Sequence, residues 1–309
     1  MPRFNSSLAF LLLVGMFLLS LLFSSYQTGI LWLTMFFAIL SASVVFSSIK
    51  LLSIQAFGVE WKEYPKAVLA VMVGAILTFY LAKGGMSAVL ASSLVGIVGS
   101  LLFKRYEIEI FTGSFVGMSS IIFFTDSGII LASLIASIAY LMGKNVFVGI
   151  GGKLGSSAFI GTLSVALLVG VNVWNLDIAR INTSLPLWFF ILTVLASALA
   201  SVMTRQLAQR HFNGSVVLGS STVGILGYLL SLTLGTYSVM FAGTIFAASF
   251  AGMSEIKVLK NPLYFAIAGL ITAIIFLASS TYFLGLGGKM GTSAFIGVLA
   301  TCVLIKRTT

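Results

Sequence analysis

The residues best placed to do chemistry are two lysines, each set among three glycines. Lys153 stands in GIGGKLGSSAFIGT (residues 149–162) and Lys289 in GLGGKMGTSAFIGV (residues 285–298). Glycine lets backbone approach a ligand closely and adopt turns that other residues avoid. The hydroxyls that follow, Ser156 and Ser157 in the first phrase and Thr292 and Ser293 in the second, are good N-caps for a helix. A helix N-terminus carries a partial positive charge and free N–H groups. Lysine, glycine turn and helix start together describe an anion-attracting corner, written twice. The structural use of the same residues is a glycine loop whose lysine snorkels to an interface. The spacing is not that of a phosphate-binding GxxxxGK[ST] loop and no strand precedes it, which argues against nucleotide binding.

Two more phrases recur in the same order. GSFVGMSS (113–120) is echoed by ASFAGMSE (248–255), and SAVLASSLVGIVGSLL (87–102) by SVVLGSSTVGILGYLL (215–230). Small residues four apart, Gly113 with Gly117 and Ala248 with Gly252, permit close helix crossing. If these segments also line a path, Ser114, Ser119, Ser249 and Ser254 would offer hydroxyls to a passing solute. The serine pairs of SSLVG (92–96) and SSTVG (220–224) read first as packing. Acidic residues number 7, so each one matters. Glu255 replaces Ser120 of the earlier copy, and it is joined by Asp126 as a candidate for coupling to protons or sodium, because an ionisable group in a membrane segment is functional by default. A single histidine, His211, and the lack of a carboxylate dyad argue against catalysis. A single cysteine, Cys302, rules out an internal disulfide. No cofactor or metal site is expected.

Composition dictates what must hold these residues. The chain is 59% hydrophobic and 8% charged, with a mean hydropathy of +1.15, against about 25% charged residues in a soluble domain. It reads as an all-α polytopic membrane protein. Twelve apolar stretches are long enough to be candidate spans: 8–25, 28–48, 66–82, 85–103, 108–124, 127–142, 155–172, 186–203, 213–233, 238–254, 262–284 and 291–305. The first is too long for the apolar region of a signal peptide and reads as a span. The net charge of +10 fits lysine and arginine collected on the cytoplasmic side rather than nucleic-acid binding. With both termini cytoplasmic, the basic residues other than Lys83, Arg180 and Lys289 fall in cytoplasmic loops. Residues 48–66 suit an amphipathic helix at the cytoplasmic interface. Residues 172–188 suit an external connection anchored by Trp174 and Trp188.

The echoes divide the chain into two N-terminal helices with their linker (1–65), a five-span copy (66–172), an external linker (173–185) and a second five-span copy (186–309). An odd number of spans turns the second copy upside down, giving an inverted repeat about a pseudo-two-fold axis in the membrane plane. This five-plus-five plan resembles, in architecture, that of urea channels and several secondary-transporter families. The chain has only 4 prolines and lacks the proline-phenylalanine pore motifs of urea channels, so no residue role is carried over. The functional expectation is a transporter or channel of the inner or plasma membrane for a small solute, an anion preferred over a neutral molecule. The rivals are a channel for a urea-like or ammonia-like solute and a non-transporting membrane subunit. Expected partners are the solute, the bilayer and, as a further candidate, a second copy of the chain.

Overall fold

The computed structural model describes residues 2–52, 64–171 and 185–305. Most of the expected interfacial helix within 48–66, most of the linker at 172–188 including Trp174, and the C-terminal Lys306 and Arg307 lie outside them.

Among the described residues the chain is helical, without strands. In chain order the helices are α1 (Pro2–Gln27), α2 (Leu31–Leu52), α3 (Tyr64–Lys83), α4 (Ala88–Leu102), α5 (Glu107–Gly117), α6 (Asp126–Gly143) and α7 (Lys153–Leu168). They continue as α8 (Leu187–Arg210), α9 (Val216–Ser231), α10 (Ser238–Gly252), α11 (Ile256–Leu259), α12 (Pro262–Ala278) and α13 (Lys289–Cys302). Each of the twelve apolar stretches holds a helix. Leucine, alanine, methionine and phenylalanine sustain these runs, and capping residues set several starts. Thr125 accepts the Gly128 amide at the start of α6, Ser215 that of Leu218 at α9, and Asn261 that of Tyr264 at α12. Pro262 follows Asn261 at the first helical position, where its missing N–H costs nothing.

Six helical stretches are long and apolar enough to cross a bilayer: Ser7–Gln27, Leu31–Ile49, Tyr64–Lys83, Asp126–Gly143, Leu187–Arg210 and Val216–Gly252. The last is broken at Gly235, where φ is 54° and ψ is −122°. The other helices are shorter. The 11 residues of α5, at 1.5 Å per residue, reach roughly half the ~30 Å of hydrocarbon. A short helix continued by irregular backbone is tolerated at membrane depth only where protein buries that backbone or a cavity meets it. This condition locates the site.

Among the described residues the main core cluster runs through the middle of the bundle, and a second cluster around Phe189, Val223, Phe241 and Ala273 lies between α8, α9, α10 and α12. The N-terminal helix has no echo in the repeat, yet it is part of the main core cluster and not an addition at its rim. In α1, Phe10 lies against Phe147 and Phe295, and Phe17 against Phe159 and Phe283. Both phenylalanines are fully buried. Seven residues make two helical turns, so the two rings share one face of α1, and that face closes over both glycine-lysine phrases.

Candidate functional site

The two glycine-lysine phrases meet. A side chain on Gly155 would come within 2.6 Å of the Gly291 Cα, and one on Gly291 within 2.4 Å of the Gly155 Cα. Helices α7 and α13 therefore cross backbone to backbone at their first turns. Each begins directly after a glycine in the left-handed region, Gly152 with φ 83° and Gly288 with φ 87°. The helices thus start earlier than serine caps would place them. Ser156, Ser157, Thr292 and Ser293 are not caps; they lie within the first turns and bond back to the carbonyls of Gly152, Lys153, Gly288 and Lys289. The left-handed glycine supplies the turn that a capping side chain would otherwise make.

A lysine at the first position of a helix faces the positive end of the helix dipole. Both lysines turn away from it. Lys153 Nζ donates to the carbonyls of Gly143 (3.1 Å), Lys144 (3.2 Å) and Val146 (2.9 Å), at and just past the end of α6. Lys289 Nζ donates to the carbonyls of Ser279 (2.5 Å) and Tyr282 (2.6 Å), just past the end of α12, and lies 5.5 Å from the centre of the Phe276 ring. Helix C-termini leave carbonyls without partners and favour cations. Each ammonium thus closes the end of the preceding helix, and Lys289 is only 8% exposed.

The irregular segments 144–152 and 280–288 are held by a reciprocal set of bonds. Ser254 accepts the amide of Gly151 at 2.9 Å, and Ser119 accepts the amide of Gly287 at 3.1 Å. The Glu255 amide donates to Gly149 and the Ser120 amide to Gly285, both at 2.8 Å. Ser92 bonds Ser114, and Ser220 bonds Ser249, each at 2.8 Å. Each of these bonds thus has a counterpart made by the corresponding residue of the other echoed phrase. The hydroxyls of Ser114, Ser119, Ser249 and Ser254 are buried in these bonds and in back-bonds to their own helices.

Two cavities flank the crossing, each of about 410 Å³. One is walled by Gly149–Gly155 and the other by Leu284–Gly291, so each irregular segment lines one of them. Phe115 and Phe250 line both. Their ring centres are 4.7 Å apart, and Phe111 and Phe246 complete a cluster with centre-to-centre distances of 4.5 to 6.4 Å. The cavity that includes Lys153 is also lined by Lys144, Arg205, Glu255 and Tyr140. The cavity that includes Lys289 is lined further by Met118, Thr236, Met240, Phe276, Ser280 and Phe283.

Glu255 thus reaches a cavity, while Asp126 lies elsewhere, paired with Lys83 at 3.1 Å and accepting from Tyr80 at 3.0 Å. Of the ten groups expected to bind solute, Lys153 and Lys289 line cavities and the eight hydroxyl residues do not. Sequence reasoning overlooked the phenylalanines, although IFTGSFVGMS (110–119) and IFAASFAGMS (245–254) repeat them at matching positions. It also overlooked the buried Glu109, whose carboxylate accepts from Tyr140 at 2.9 Å. No known protein family, curated protein or solved structure matches the chain.

Proposed function

We propose that the chain is a membrane conduit for a small uncharged solute, with its path running through the two cavities and constricted by Phe115 and Phe250. The observation that carries this reading is that both cavities are lined by the same phenylalanine pair. Each cavity is also walled by irregular backbone of a kind that a bilayer tolerates only beside protein or a solute path. In this reading the two five-helix copies are inverted, the chain crosses the bilayer twelve times, and both termini are cytoplasmic. The reciprocal bonds support a two-fold relation, and the grouping of Lys144, Lys153 and Arg205 around one cavity supports placing that cavity on the cytoplasmic side. The other then opens outward.

The expected preference for an anion gives way here to a neutral solute. Both ammonium groups are engaged by carbonyls of the chain itself, and the constriction between the cavities is aromatic. An apolar constriction opposes ions because they must shed water to pass it, whereas a small neutral molecule loses much less.

The test is flux into proteoliposomes by stopped-flow light scattering, using a size series of uncharged solutes. Wild-type protein should raise permeability above that of protein-free vesicles. Phe115→Leu should raise it further, and Phe250→Trp should lower it. Replacing both lysines by methionine should leave neutral flux per folded molecule unchanged, which an anion carrier built on those lysines does not allow. If wild-type vesicles match empty ones for every solute, the conduit is refuted, and a subunit or scaffold role becomes the better account.

A further inference from the structure

The two cavities are built from equivalent residues, and the places where equivalence fails are informative. Counterparts follow from the matching contacts: Gly117 packs on Ala75 and Thr78 as Gly252 packs on Ser201 and Thr204. That registration makes Phe79 the counterpart of Arg205, while the repeated phrases make Ser120 the counterpart of Glu255. The Lys153 cavity therefore carries an acid and a guanidinium where the other half has a hydroxyl and a ring. The two substitutions are adjacent in space. Arg205 donates to the Ser254 carbonyl at 3.3 Å, next to Glu255 in the chain. The Glu255 side chain stands over the Lys153 loop, with its carboxyl carbon 3.0 Å from where a side chain on Gly149 would begin.

We propose that Glu255 is a specificity-determining residue, setting the charge preference of the Lys153 cavity by offsetting Lys153 and Arg205 so that the mouth does not concentrate anions. Among the described residues lining that cavity, Lys144, Lys153 and Arg205 are basic and Glu255 alone is acidic. The carboxylate is near enough to act electrostatically on both Lys153 and Arg205. Carbonyl bonds hold the lysine in place but leave its charge intact, and only an opposite charge lowers the potential it creates. In the other cavity Lys289 is buried beneath Phe276 and has no second cation beside it among the described lining residues, so no acid is needed there, and the position equivalent to Glu255 holds Ser120. The role in solute discrimination rests on the conduit reading, whereas the assignment of charge does not.

The experiment measures local potential directly. With Cys302→Ser as background, Met253→Cys places a reporter in the Lys153 cavity and Thr236→Cys one in the other. Each is modified by a sulfonate-bearing and by a trimethylammonium-bearing methanethiosulfonate. Glu255→Gln should speed the anionic reagent and slow the cationic one at residue 253, by roughly fivefold in each direction for one nearby solvated charge. Glu255→Asp should keep wild-type rates, separating charge from misfolding. Ser120→Glu should shift the rates at residue 236 in the opposite sense. Unchanged rates at residue 253 in Glu255→Gln would overturn the proposal. A shifted ratio in a protein that passes no neutral solute would overturn the conduit reading alone and leave the charge assignment standing.

Discussion

The Lys153 cavity and the Lys289 cavity share their frame and differ in their furnishing. In both, a left-handed glycine starts the wall helix, a lysine closes the preceding helix end, and a serine of the opposite half holds the loop. The parts that match are those that satisfy backbone groups far from water, where an orphan donor or acceptor is expensive. The parts that differ include side chains that line the cavities: Tyr140 and Lys144 in one against Phe276 and Ser280 in the other, and Glu255, whose counterpart Ser120 is held by its amide on the Gly285 carbonyl. The comparison separates what the fold requires from what each cavity presents. Repeated residues serve the first, and departures from the repeat set the second.

The largest test of the shared frame is the crossing itself. Gly155→Leu and Gly291→Leu each force a side chain into the opposing backbone. Overpacking costs about 1–3 kcal/mol where side chains can adjust, and here the neighbour is main chain. Both variants should lose the folded peak in fluorescence-detected size exclusion, and to the same degree. A tolerated leucine at one glycine alone would break the equivalence. Next come the lysines. Lys153→Met and Lys289→Met leave carbonyls beyond α6 and α12 without their donors, at about 1–3 kcal/mol for a buried unpaired group. Lys289 is the more buried, so its replacement should lower the unfolding temperature in detergent more. An increase in either would show that the ammonium is not a structural closure.

Smaller effects sharpen the same comparison. Ser119→Ala and Ser254→Ala each remove the acceptor for one buried amide and should destabilise by about 1 kcal/mol. The two decrements should match, and a large disparity would mean that the clasps are not equivalent. At the bottom of the scale, Asp126 and Lys83 are about half exposed (49% and 48%). An exposed ion pair contributes little, so Asp126→Asn should leave both unfolding temperature and neutral flux as they were. A loss of flux would restore Asp126 as a coupling residue.

Much of the frame was legible because its chemistry is local. Three echoed phrases expose the duplication, and those phrases contain the residues that make the reciprocal bonds. The helix starts were misread because serine is the ordinary cap, while a glycine leaves no sign of its φ in the sequence. The phenylalanine cluster stayed hidden for another reason. In an apolar span a ring facing lipid and a ring facing a cavity are the same letter, and only packing tells Phe115 from Phe123. The Tyr140–Glu109 bond joins residues 31 apart, and no helical period links them. The place of α1 has no echo to mark it in the sequence, although Phe10 and Phe17 sit at the spacing that reaches both phrases.

In the proposed conduit the two cavities open on opposite sides of the bilayer and are divided by Phe115 and Phe250. Lys144 lines one cavity and Thr236 the other. With Cys302→Ser as background, Lys144→Cys and Thr236→Cys can each be treated with a membrane-impermeant maleimide, in intact cells and in inverted vesicles. Labelling of residue 236 from outside only, and of residue 144 from the cytoplasmic side only, is the predicted result. Labelling of both from one side would contradict it.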